Sequence, residues 1–513
     1  MRRNCTRALA FTAVVAAVPS ISLAQSVTTS RDPQTRPHML AESARVSDVV
    51  DAFDAGSLWS FRFSIGYFRT MRNATLQRER STLTNPGGVD SPSGTTEFDN
   101  VARFEQITQT LDLNLELAIF HDLAIYVGAP IILSDTRAFT AHSDVTTAQQ
   151  AARLGDGFSY RNAMGVDQPG SLFSVPFRSP ERSGVDFIRL GLQWDILGQS
   201  RDPHWPTWLV RFEWRLPVGA PLRPCYVDAM NNTQCPVALA GDMTRPTTYT
   251  DPTSNTVVTD ATHPYQRPLM TNPDPGISRR VHGLYFQTLI SRRIGYIEPY
   301  AGLDALLEIP EGNLPQFNFG DVPYGQLSTY PPIHGTFLVG TEIVPWENRE
   351  SWQRFVIDLA VQGHYWSQGR DYSPLFDALG SSNSTPLTQP QYPINQAVNG
   401  NMMNPVYFTG TTGVHSHGGV SGALGVAIQP AKFIRFSFGA SALYTAPFMM
   451  TATDACNPNV DPGDNNAYRA GCVGSSVPDP MHRPVIDSAG QRFRFTDDWT
   501  WNIYVNLSLT PRF

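Results

Sequence analysis

Four histidines, His334, His364, His415 and His417, carry the most obvious chemistry in this chain. Neutral imidazoles brought together bind transition metals, and alternation along their segments turns all four the same way. A metal site and a plain polar lining both fit them. Five cysteines are present. Cys225, Cys235, Cys456 and Cys472 form two close pairs within Pro- and Asn-rich stretches. In an oxidising compartment the expected disulfides are Cys225–Cys235 and Cys456–Cys472, each stapling one loop. Three pairings are possible, and proximity alone favours this one; no Cys-x-x-Cys spacing suggests zinc. A catalytic nucleophile needs a base within reach and an oxyanion site. Neither can be assembled here, so no catalytic residue is assigned and no enzyme is expected. No cofactor is expected either. The net charge of −7 leaves no basic patch for nucleic acid.

The elements that must position these residues have a period of two. Trp499, Trp501, Ile503, Val505, Leu507, Leu509 and Phe513 share one face of the closing segment, and Thr500, Asn502, Tyr504, Asn506, Ser508 and Thr510 share the other. This is a strand with an apolar and a polar face, as in a wall between lipid and water. Eleven further segments follow the pattern, near 58–69, 103–119, 123–133, 184–197, 207–218, 281–293, 297–309, 333–345, 354–366, 414–428 and 433–447, with the last at 498–513. The gaps between them alternate long and short from 70–102 to 448–497. Barrels in the outer membrane join short turns on one side to long loops on the other, whereas a sandwich has no reason to keep that parity. Trp194, Trp205, Trp208, Trp346, Trp352, Tyr365, Trp366, Trp499 and Trp501 gather at segment ends, as in aromatic belts. Within the long gaps, Ala148–Leu154 and Pro374–Leu379 could each form a short helix.

The N-terminus agrees with export. Arg2 and Arg3 precede an apolar run from Ala8 to Val18, and Ser22-Leu-Ala24 forms a small-x-small cleavage site, so residues 1–24 read as a signal peptide. The run is too short for the roughly 20 residues of a membrane-spanning helix. Residues 25–57 form a separate segment, either a periplasmic leader or a lumen plug. Within it, residues 41–54 can make an amphipathic helix with Val46, Val49, Val50 and Phe53 on one side.

The terminal Phe513, with Leu509, Leu507 and Val505 before it, resembles the closing strand of Gram-negative outer-membrane β-barrels of the porin and transporter superfamily. That resemblance implies recognition of Phe513 by the barrel-assembly machinery. The expected fold is all-β: residues 58–513 form a transmembrane antiparallel up-and-down barrel of about twelve strands, with ten or fourteen as alternatives. It would lie in the outer membrane, in contact with its lipid, with both termini periplasmic. Oligomeric state is left open. The outer-membrane phospholipases of twelve strands use a His-x-Ser pair, which is absent here; His142-Ser143 and His415-Ser416-His417 are the nearest sequences.

Taking polar faces as inward, the lumen would be lined by Arg62, Asp112, Glu116, Arg189, Asp195, Arg211, Glu213, Arg215, Glu298, Asp304, Glu308, Glu342, Asp358 and Arg435. Strands seven to nine then supply acids with no basic partner of their own, opposite arginine-bearing strands. Such sectors would set up a transverse field that orients polar solutes. Alternatively, the charges pair and close a narrow lumen. The expected function is porin-like passive transport of small polar or amphipathic solutes. The alternatives are a binding or adhesion barrel acting through stapled extracellular loops, and an outer-membrane hydrolase.

Overall fold

A computed structural model describes residues 46–47, 49–50, 60–81, 96–161, 167–236, 248–250, 257–259, 269–311, 330–348, 350–388, 397–398, 401–402, 408–451 and 482–510. Phe513, Cys456, Cys472 and the signal peptide lie outside them. The segment 25–57 is represented by Val46, Ser47, Val49 and Val50, so Phe53 also falls outside.

Twelve antiparallel strands close into a barrel. They are β1 Phe61–Ser81, β2 Thr96–Phe120, β3 Leu123–Ala141, β4 Phe187–Leu197, β5 Thr207–Pro217 and β6 Val281–Ser291, followed by β7 Ile297–Pro310, β8 His334–Asn348, β9 Gln353–Trp366, β10 His417–Ala431, β11 Ile434–Thr445 and β12 Phe493–Leu509. Each strand pairs with its sequence neighbour. Closure is made by β12 on β1, with Phe63 opposite Leu509 and Tyr67 opposite Val505.

The alternation expected from sequence sorts the side chains. Phe63, Leu115, Val127, Leu192, Phe212 and Phe286 are exposed on the outer wall, as are Leu303, Phe337, Val361, Leu424, Phe438 and Val505. Apolar residues exposed on all twelve strands form a belt far larger than a soluble surface carries, as a lipid-facing wall requires. Trp194, Trp205, Trp346, Tyr365 and Trp499 lie on this exposed surface. Trp366 does not. Its neighbour Tyr365 faces out, so the period of two turns Trp366 inward, where it stacks on His334 at 4.7 Å between ring centroids.

Several strands run beyond the apolar segments. β1 continues to Ser81 and β2 begins at Thr96, so much of the expected 70–102 loop is a paired hairpin rising above the belt. There the apolar residues Ala74, Leu76, Ala102 and Phe104 are buried on the inward face and Arg103 and Glu105 are exposed, so the apolar face of the belt does not continue on the same side. β12 likewise starts at Phe493 rather than near 498. Bulges interrupt the parity. Between Gln109 and Thr110 of β2 the pairing on β3 jumps from Ser134 to Ile132, which leaves Leu133 unpaired and exposed. Above that point the inward residues of β3 are Asp135, Arg137 and Phe139, odd-numbered where those below are even.

Inside the wall, glycines receive large rings from the adjacent strand. Tyr300 of β7 covers Gly340 of β8, and Tyr126 of β3 covers Gly191 of β4. A Cβ at Gly340 would sit 2.3 Å from the tyrosine ring, so only glycine admits it. In the long loops, helix α1 Thr147–Arg153 starts with a capping box of Thr146 and Gln149, and helix α2 spans Phe376–Gly380. Both fall where short helices are expected. The Cys225–Cys235 disulfide is formed.

Candidate functional site

The lumen at the short-turn end holds Val46, Ser47, Val49 and Val50. Val46, Val49 and Val50 join one buried apolar cluster with Ala118, Ala124, Leu209, Leu289, Tyr300, Leu338, Ala360 and Ala423. Those eight inward residues come from eight different strands, β2, β3 and β5 to β10. Residues that share one cluster with so many staves lie inside the bore. Polar contacts fix it: the Val46 amide donates to Glu342 Oε2 at 3.2 Å, and Ser47 Oγ meets Ser291 Oγ at 2.6 Å. Ser291 in turn donates to Glu298 Oε1 at 2.8 Å.

All fourteen expected lumen charges sit on the inward side of the wall, but not as two opposed sectors. Arg62 bonds Glu116 at 2.6 Å, Arg189 bonds Asp112 at 2.5 Å, and Arg215 bonds Glu213 at 2.8 Å. These three arginines are therefore neutralised within their own neighbourhood, because β2 and β5 supply carboxylates at the same heights, whereas Arg211 donates to Gln193. Nor do the acids of β7 to β9 stand bare, although Asp304 has only the Thr336 hydroxyl. Glu308 pairs with Arg279, which precedes β6, and Asp358 accepts from Tyr300 at 2.7 Å. Glu298 and Glu342 serve the N-terminal segment. Arg435 donates to Gln429 at 2.7 Å, and the backbone carbonyl of Asp195 accepts from Arg201. Burial favours such pairing, since an isolated charge in a low-dielectric interior is costly.

One level above the N-terminal segment, a row of polar side chains crosses neighbouring strands. Gln193 lies opposite Arg211, Arg211 opposite Gln287, Gln287 opposite Asp304, Asp304 opposite Thr336, and Thr336 opposite His364. This row is invisible in the sequence, because it depends on the register of six strands.

The four histidines do not converge on one point. His334 Nε2 is 3.3 Å from His364 Nδ1, and His364 Nε2 is 2.7 Å from Ser421 Oγ. Trp366 stands between this pair and His417, whose ring stacks on Trp366 at 4.9 Å. His417 Nδ1 reaches the His415 carbonyl at 2.8 Å. Among the described residues no group of three His, Cys, Asp or Glu side chains is arranged to hold a metal ion. The imidazoles extend an aromatic stack instead, through Phe448 at 4.1 Å from His417 and Phe495 at 6.1 Å beyond it.

That stack leads into a roof at the long-loop end. Phe104, Phe139, Phe493 and Phe495 point inward from the upper strands and pack with Leu172, Phe173, Leu375, Leu379, Met450 and Ile486 from three loops. Arg182 binds Asp377 of α2 at 2.7 Å, and Asp377 also accepts the Cys225 amide at 3.1 Å. The stapled loop is thereby tied to the roof.

No protein-family model matches the chain, and no curated protein matches it. Similar solved structures include a Pseudomonas aeruginosa FadL homologue, 10% identical with a TM-score of 0.34, over 98% of this chain and 99% of that one. The CymD monoaromatic hydrocarbon channel is 8% identical with a TM-score of 0.31, over 88% of each chain. The outer membrane protease OmpT from Escherichia coli is 7% identical with a TM-score of 0.25, over 88% of this chain and 97% of that one. These likenesses are too distant to transfer any residue role or activity.

Proposed function

We propose that this chain is an outer-membrane barrel for passive passage of small polar or amphipathic solutes, closed at rest by its N-terminal segment and its loop roof. The observation that carries this reading is the polar row sandwiched between two apolar seals. A barrel built only as a rigid anchor has no need of buried polar side chains enclosed between closures. The reading places the short-turn end in the periplasm, with outer-membrane lipid around the belt and the assembly machinery as partner of the terminal strand.

The test is current through the refolded protein in planar bilayers. Discrete steps are expected once the lower seal is broken by Val49→Asp with Val50→Asp and the roof is loosened by Asp377→Ala. A barrel that is folded and silent in that state would overturn the proposal. A surface-binding role is the second reading, favoured by Met230, which projects from the stapled loop with 85% exposure. Removing that loop should abolish binding to a cell surface or ligand while leaving current intact if that role is real.

A further inference from the structure

The polar row contains two ionised groups without partners of opposite charge. Arg211 is 3% exposed and its Nη2 donates to Gln193 Oε1 at 2.8 Å. Its Nε and Nη1 have no acceptor. Arg62, Arg189 and Arg215 each bond a carboxylate; among the described residues none lies within ion-pair distance of Arg211. The Tyr126 ring faces its guanidinium at 5.7 Å, which softens the charge without supplying an acceptor. Arginine cannot relieve this by losing a proton. Next to it, Gln287 is 1% exposed and its Oε1 has no donor. One strand further, half-buried Asp304 accepts a hydrogen bond from Thr336 but has no basic side chain within ion-pair distance among the described residues.

A lone unsatisfied atom calls for a water. A row offering unpaired cationic donors, then an open acceptor, then an unpaired carboxylate calls for something with the opposite order of charge. Adjacent strands are about 4.8 Å apart, so the Arg211 and Asp304 columns stand roughly 10 Å apart at the wall. Part of that distance is taken up by the side chains as they reach inward. We propose that this row recognises a dipolar solute, with its carboxylate at Arg211 and its cationic amine at Gln287 Oε1 and Asp304. The proposal rests on the conduit reading above and narrows its solute class. Leu209, Leu289 and Leu338 lie one level below and belong to the seal made by Val46, Val49 and Val50. A solute held in the row would therefore rest directly on that seal.

The experiment is calorimetric titration of the full refolded chain, and of the Val49→Asp, Val50→Asp form, with ω-amino acids from glycine to 6-aminohexanoate. Butanoate and butylamine are the single-charge controls. One chain length should bind at least about tenfold more tightly than either control. Asp304→Asn should reduce that compound to the affinity of butanoate and leave butanoate unchanged. Arg211→Gln should abolish binding of both carboxylates, and Arg211→Lys should restore part of it. Heat-modifiable gel mobility reports folding; if Arg211→Gln does not fold, the Asp304→Asn comparison decides. Equal affinity for butanoate and the best amino acid, an Asp304→Asn variant that behaves like the parent, or no binding in either background would each overturn the proposal. Binding is read without a membrane gradient, so a barrel that conducts but binds none of the series refutes the dipolar site and leaves the conduit standing. One that binds but never conducts refutes the conduit.

Discussion

At the scale of single residues, the inward charges were legible from alternation alone, whereas their partners were not. Arg62 meets Glu116 because β1 and β2 align those two positions, and register is set by the whole hairpin rather than by neighbours in sequence. The pair is buried, with Gln193 and Asn114 adding bonds to the same carboxylate at 3.0 Å. Arg62→Gln should therefore cost about 3–5 kcal/mol of unfolding free energy in urea titrations from vesicles, because Glu116 is left as a buried charge. Replacing both partners, Arg62→Met with Glu116→Leu, should recover most of that loss. Above the apolar belt, Glu79 makes a comparable contact with Arg492 at 2.7 Å. Burial alone would raise the Glu79 carboxyl pKa, but the Arg492 bonds and the Gly490 amide outweigh it and hold the group below the ordinary glutamate value. A carboxyl depressed in the folded state stabilises above its unfolded pKa of about 4.3 and loses that contribution as pH falls through the lower folded value. The melting-temperature gap between the parent and Glu79→Gln should be full at pH 7 and shrink below about pH 4. A gap that stays constant with pH would show that the Arg492 contact is not linked to folding.

At the scale of elements, gap parity revealed which segments cross and how many there are. It did not reveal where the strands end, since the apolar residues change from the outward to the inward face where β1 and β2 leave the belt. The β3 bulge also reverses which parity points inward, so Phe139 joins the roof cluster from a position that simple alternation assigns to lipid. The rings set over glycines show what the inner wall demands of its strands. Tyr300 lies on Gly340 and donates to Asp358 at 2.7 Å, linking β7, β8 and β9 at one level. Gly340→Ala pushes a methyl into that ring and should destabilise the barrel by roughly 1–3 kcal/mol. Tyr300→Phe keeps the packing and loses only the hydroxyl bond, worth about 1 kcal/mol. If unfolding in urea gave the two variants in the reverse order, ring packing would not be the source of the effect.

At the scale of the whole molecule, two closures of different origin lie in series along one bore. The lower one was foreshadowed by the apolar spacing of Val46, Val49 and Val50, though spacing alone does not distinguish a plug from a leader. What places it is a shared buried cluster with residues of eight strands, information that exists only once the barrel has closed. The upper one was not foreseen, because its members come from strand tips and three loops separated by hundreds of residues. Barriers in series add as resistances, so removing one leaves the other in control of the current. Val49→Asp with Val50→Asp puts carboxylates into an apolar seal, which they can occupy only by drawing in water. Asp377→Ala leaves buried Arg182 without its carboxylate and releases the stapled loop from α2. Each change by itself should raise single-channel conductance only slightly. Together they should raise it by more than the sum of the two separate increments. Conductance that was simply additive would mean that the seals guard separate paths. A full opening by the lower pair alone would mean that the roof does not obstruct the bore.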